Sequence, residues 1–93
     1  MATELVHHTK VTDEKGNTLE IKIWKISKPT KDKPHGYRYS LVYIVDGKRV
    51  VGYDNGERKG DHRHMGNEQE DYEFTSIDKL FNDFYEDVRR FLK

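Results

Sequence analysis

The strongest constraint in this chain is the pair Asp46-Gly47, set between two apolar runs, Tyr37 to Val45 and Lys48 to Asp54. A two-residue type I′ turn needs positive φ at both central residues, and Asp-Gly meets that need readily. The pattern predicts a β-hairpin in which Val45 pairs with Lys48, Tyr43 with Val50, Leu41 with Gly52 and Tyr39 with Asp54. One face then carries Tyr39, Leu41, Tyr43 and Val50. The other carries Val42, Ile44, Val51 and Tyr53, flanked by Arg38 and Arg49. Gly52 in mid-strand predicts a bulge or a close approach by another group. A lone hairpin is marginal in water, so the rest of the chain must supply partners for it.

Upstream, Leu5 to Thr12 has β-branched character, and Asp13 to Asn17 reads as a turn. Leu19, Ile21 and Ile23 alternate with charged residues, a period of two that predicts a half-buried strand. Trp24 and Ile26 continue on the other parity, and Trp24 is expected in the core. Lys28 to Gly36, with two prolines and three lysines, is expected to be a loop holding His35. Downstream the period changes. Ile77, Leu80, Phe81, Phe84, Val88, Phe91 and Leu92 recur at three and four, which predicts one helix with one apolar stripe. Phe81, Phe84 and Phe91 are expected in the core. Thr75 or Ser76 can cap the helix, Thr75 with Asp78 as a capping box, and Tyr72 and Phe74 suggest a short strand before it. The expected fold is α+β: an antiparallel sheet of four or five strands over about residues 4–74, with one C-terminal helix over about residues 76–92 packed on one face. The whole, residues 1–93, suits a single domain.

The chain has no cysteine, which removes disulfides, thiolate nucleophiles and Cys-ligated metals. Its longest apolar run, Leu41 to Val45, is too short to span a membrane, and the N-terminus lacks the pattern of a signal peptide. The 17 basic and 17 acidic residues cancel, but not locally. Lys22 to Arg63 holds 11 basic against 5 acidic residues, and Asn67 to Lys93 holds 4 against 8. Such asymmetry signals either an anionic ligand or two segments that face each other.

One segment concentrates chemistry: Tyr53-Asp54-Asn55-Gly56-Glu57-Arg58-Lys59-Gly60-Asp61-His62-Arg63-His64. Cleavage of RNA without a metal needs a base for the 2′-hydroxyl, an acid for the leaving 5′-oxygen and cations for the charged phosphorane. His62 and His64 suit the first two roles, because imidazole titrates near neutrality. Lys59 and Arg63 suit the third, and Asp54 can orient an imidazole. Tyr53, Tyr39, Asn55 and Arg58 are candidates for substrate contacts. In an extended strand His62 and His64 share one face and Arg63 takes the other, so uniting all three requires a bulge. Three alternatives stand beside catalysis. His-x-His can hold a divalent metal with Asp54 or Asp61 as third ligand. The basic segment can bind RNA or a protein without cutting. The loop can also be only a solvated surface whose charges pair among themselves. The favoured scheme uses no cofactor and no metal.

Taken together, Tyr37-Arg38-Tyr39-Ser40-Leu41-Val42-Tyr43, Val51-Gly52-Tyr53-Asp54-Asn55, Lys59-Gly60-Asp61-His62-Arg63-His64, Tyr72-Glu73-Phe74-Thr75 and the helix ending Phe84-Tyr85-Glu86-Asp87-Val88 resemble the TumE family. These are toxin-side proteins of a prokaryotic toxin–antitoxin system. The resemblance runs from Tyr37 to Val88 and implies a cytoplasmic, growth-inhibiting toxin. It also implies a cognate antitoxin, often one with a DNA-binding helix-turn-helix. It favours RNA as the target, and makes the open sheet face or the acidic helix a candidate antitoxin surface.

Overall fold

The computed structural model describes residues 3–31, 33–56 and 60–91. Six strands run in order: β1 (Thr3–Thr12), β2 (Thr18–Ile26), β3 (Tyr37–Val45), β4 (Lys48–Asp54), β5 (His62–Met65) and β6 (Glu68–Asp71). One helix follows, α1 (Ile77–Arg89). Each strand pairs antiparallel with the next, giving a sheet of order β1-β2-β3-β4-β5-β6. The class is α+β as expected, but the strand count is six, not four or five.

The extra strand is β6. Its sequence, Glu-Gln-Glu-Asp, is polar throughout and exposed on both faces, so it carries no alternation to detect. Gly66, at φ 62°, turns the chain between β5 and β6 and donates its N–H to the Val50 carbonyl. Gly66-Asn67 is itself a hairpin dipeptide. Tyr72 and Phe74, expected in a strand, lie in the connector that follows β6.

The β3–β4 turn forms at Asp46 and Gly47, whose φ values are 52° and 76°. Val45 pairs with Lys48 and Ile44 with Arg49, and then the register shifts by one residue. Tyr43 therefore pairs with Val51, Val42 with Gly52, Leu41 with Tyr53 and Ser40 with Asp54. A one-residue shift moves every later side chain to the opposite face. Val51 and Tyr53 thereby join Tyr39, Leu41 and Tyr43 in the core, and Val50, partly buried, packs against it. β1 is also bulged, between Leu5 and His7, and forms an outer edge with Leu5, Val6 and Val11 exposed.

Ser76, not Thr75, caps α1. Its hydroxyl accepts from the Lys79 N–H at 3.1 Å, which satisfies one of the free donors of the first turn. Leu80, Phe84 and Val88 pack against Ile21, Ile23, Tyr39, Leu41, Tyr43, Val51 and Tyr53 to form the core. Each such apolar side chain, fully buried, contributes about 1.5–3 kcal/mol. Phe81 packs at the rim of the core, whereas Phe91 lies beyond the helix and is 43% exposed. Among the described residues no helix is long and apolar enough to cross a membrane. The helix covers one face of the sheet and, among the described residues, no element packs over the other, the bare face.

Candidate functional site

The bare face is assembled by strand parity, because residues opposite each other in an antiparallel ladder project to the same side. Trp24 pairs with Arg38, and Lys22 with Ser40. Ser40 pairs in turn with Asp54, Asp54 with His62, and Gly52 with His64. Four strands thus deliver Lys22, Trp24, Arg38, Ser40, Asp54, His62 and His64 to the face away from α1.

Three of these side chains converge. His62 Nε2 lies 2.7 Å from Asp54 Oδ1, and His64 Nε2 lies 3.6 Å from Asp54 Oδ2. The two imidazoles stand nearly perpendicular, at 80°, with centroids 4.8 Å apart. His62 is 7% exposed, and its Nδ1–H donates to the Gly60 carbonyl at 3.1 Å. Asp54 ends β4 and keeps contact with solvent. It borders a shallow cavity of about 300 Å³ lined also by Lys22, Trp24, Arg38, Tyr39, Ser40 and Gly56. The Arg38 guanidinium lies 5.1 Å from the Trp24 ring centroid, a cation–π contact. Gly52 permits a further approach. A Cβ there would come within 2.9 Å of Arg49 Cδ and 3.6 Å of His64 Cβ, so the Arg49 side chain crosses β4 beside His64. Asp71, opposite His62 on β6, is exposed.

Arg63 does not join this group. β5 is regular, so Arg63 points to the helix side, opposite Tyr53. Its Nε and a terminal nitrogen donate to Asp87 at 2.8 and 2.7 Å, and its other terminal nitrogen donates to Glu70 at 2.8 Å. Asp87, 3% exposed, also accepts from the Tyr53 hydroxyl. Burial alone would lower the Arg63 pKa, but the bond to Asp87 and the nearby negative charge hold it above its ordinary value. The phosphorane-stabilising place expected for Arg63 is therefore a structural ion pair on the opposite face.

Three expected substrate contacts are also enclosed. Tyr39 and Tyr53 belong to the core at 1% exposure each. Asn55 is completely buried. Its Nδ2 donates to the Tyr37 carbonyl at 2.8 Å and its Oδ1 accepts from the Tyr39 N–H at 3.0 Å, closing the chain back onto β3 where β4 ends. Lys59 and Arg58 lie outside the described residues.

Two further placements matter. His35, in its loop, accepts from the Tyr37 N–H at Nδ1 and donates from Nε2 to Asp61 at 3.0 and 3.2 Å. Its ring lies 4.1 Å from that of Phe74. Asp61 is thus engaged with His35, and Asp54 is the carboxylate that meets the histidine pair. Trp24, expected in the core, is half-buried on the bare face. With Lys22 and Arg38 it forms the cavity wall that sequence reasoning missed. The available signal was parity: Trp24 alternates with the core residue Ile23 and must face away from it.

Comparison with known families places the chain among the toxins of toxin–antitoxin systems. The match is to the model described as toxin TumE and runs over residues 3–92, so the chain belongs to that family. It includes β1 and β2, which lie outside the segment that carries the resemblance in the sequence. Membership implies an antitoxin as partner in general. No curated protein and no solved structure matches the chain.

Proposed function

We propose that this toxin acts on RNA and breaks its phosphodiester bonds on the bare face of the sheet. The observation that carries the reading is the convergence of Asp54, His62 and His64 beside a cavity walled by Lys22, Trp24 and Arg38. Each part has a matching demand. Lys22 and Arg38 attract the backbone phosphates. Trp24, half-exposed, offers a π-face to an unstacked base, a mode of contact worth about 1–3 kcal/mol per base in single-strand sites. At the bond itself, the ribose 2′-oxygen attacks phosphorus, the P–O2′ bond forms and the P–O5′ bond breaks. The 2′-hydroxyl proton leaves to a base, and the departing 5′-oxygen takes up a proton. Imidazole, carboxylate and coordinated water can all serve these transfers. The antitoxin, in this reading, is a cytoplasmic partner that carries a helix-turn-helix and blocks access to the site.

The test is incubation of the purified full chain with labelled RNA, once with divalent metal and once with chelator. Wild type is expected to cut in at least one condition, and His64→Ala and Asp54→Asn to slow cutting by about 100-fold or more, as loss of a proton-transfer group or its support does. Intact RNA in both conditions, or equal cutting by all three proteins, refutes the reading. RNA bound intact, with affinity falling steeply as salt rises, would instead identify a binding module.

A further inference from the structure

We infer that Asp54, His62 and His64 form a binding site for one first-row divalent transition-metal ion such as Zn²⁺ or Mn²⁺. The inference rests on the reading that this cluster is the working site, and gives that site its chemistry.

At His35 one ring nitrogen meets an N–H donor and the other meets a carboxylate. A neutral imidazole satisfies both, accepting at one nitrogen and donating at the other. His62 differs. Its Nδ1 faces the Gly60 carbonyl and its Nε2 faces the Asp54 carboxylate, so both partners are acceptors. A neutral imidazole has one N–H, and the Gly60 carbonyl takes it. The Nε2 lone pair then points at an oxygen lone pair across 2.7 Å. Only a positive centre between them makes that arrangement favourable. A proton can join two lone pairs. A metal ion joins three, and His64 brings its Nε2 to 3.6 Å from the second Asp54 oxygen.

The remaining geometry agrees. One ligand atom from each of the three residues lies within 4.8 Å of the others. The His62 Nδ1–H···O=C Gly60 bond is the kind of outer contact that fixes the tautomer and orientation of a ligating histidine. Around an ion with bonds of about 2.0–2.1 Å, neighbouring ligand atoms sit about 3.0–3.4 Å apart. His62 and Asp54 must therefore separate by a few tenths of an ångström, and the widest of the spacings, up to 4.8 Å, must close by about 1.4 Å. Asp54, at the end of β4 and about a quarter exposed, is the ligand with room to move. Two imidazoles and one carboxylate favour a transition-metal ion over Mg²⁺ or Ca²⁺, which prefer oxygen alone. Three protein ligands leave a position free, as in catalytic rather than structural sites. Of the three residues, Asp54 lines the cavity together with Lys22 and Arg38, and is the side from which a phosphate oxygen or water would approach.

The test is calorimetric titration of the metal-stripped full chain with ZnCl₂ and with MnCl₂, paired with imidazole NMR. We expect one ion per chain for at least one metal, with shifts at the His62 and His64 rings and none at His35. His64→Ala and Asp54→Asn should each weaken binding at least tenfold, with far-UV circular dichroism confirming their fold. His7→Ala/His8→Ala, on the exposed β1 edge, should leave it unchanged. No stoichiometric binding of either metal overturns the inference, as does binding that survives His64→Ala and Asp54→Asn but vanishes in the β1 variant. Metal bound at this site with RNA left intact would refute the ribonuclease reading and leave the metal site standing. RNA cut equally in chelator by a chain that binds no metal would do the reverse.

Discussion

Arg63→Met removes the guanidinium that donates to Asp87 at 2.8 and 2.7 Å. It leaves a carboxylate, 3% exposed, with the Tyr53 hydroxyl donating to it and the largely exposed Arg90 guanidinium 3.8 Å away. Breaking one side of a buried ion pair typically destabilises by about 3–5 kcal/mol. About a quarter of the Arg63 side chain touches water, so the lower end, about 3 kcal/mol, is expected. A chain of 93 residues has about 5–14 kcal/mol of total stability. The loss should lower the melting temperature by about 12 °C or more, at about 4 °C or more per kcal/mol for a domain of this size. Removing the whole polar group should not. The triple variant Tyr53→Phe, Arg63→Met, Asp87→Leu replaces a buried network by apolar surface, a change that is often neutral or stabilising. It should melt close to wild type and, because Arg63 points away from the bare face, should keep full activity on RNA. The assays are thermal and urea denaturation followed by circular dichroism, alongside the RNA assay. A triple variant that folds with wild-type stability but loses activity as deeply as His64→Ala would place Arg63 in the chemistry, and would refute the separation of the two faces. An Arg63→Met single variant with unchanged melting would refute the buried-pair argument itself.

Two pH limbs follow from groups away from the candidate site. The hydroxyls of Tyr39, Tyr53 and Tyr72 are all pushed above the ordinary value of 10.0, chiefly by burial. Folding therefore favours their neutral forms. That contribution is complete below about pH 10 and is lost as pH rises beyond it, so melting temperature should fall above about pH 10, less steeply in Tyr53→Phe. At Asp83 burial alone would raise the pKa, but hydrogen bonds from Lys79 and Tyr72 outweigh it and hold the carboxyl below its ordinary 3.8. Its contribution is present above that value and lost as pH falls through the lower folded one. Asp83→Asn should accordingly flatten the decline in stability below about pH 4, measured by thermal melts between about pH 2 and 6.

The elements that were legible in the sequence are those whose local chemistry and periodicity agree. Asp46-Gly47 makes its turn, Leu19 to Ile23 alternates as a strand, and the stripe from Ile77 to Val88 forms the helix. What escaped was set by tertiary pairing. The register shift after Ile44 was signalled only by Gly52, which predicts a bulge without fixing its position, yet the shift carries Val51 and Tyr53 into the core. The same shift pairs Ser40 with Asp54, and so puts Asp54 on the side of His62 and His64. Asp87 lies on the apolar stripe of α1, where a carboxylate reads as an interruption. Only the arrival of Arg63 and Tyr53 from other strands makes it part of the interior.

That division also explains how a chain of zero formal charge can keep a locally basic surface. Among the described strand residues, the cations between Lys22 and Arg63 fall on both sides of the pleat. Arg63 alternates to the helix side, where Asp87 and Glu70 from the acidic tail neutralise it. Lys22, Arg38 and Arg49 alternate to the bare face, which those two carboxylates do not reach. The two explanations of the charge asymmetry are thus not exclusive, since one set of charges holds the helix to the sheet and the other lies on the opposite face, where Lys22 has Glu20 as a partner at 3.9 Å. A basic residue moved by one position along β5 or β3 would change sets. The local field over Asp54, His62 and His64 therefore depends on strand register, and not on the net charge of the chain.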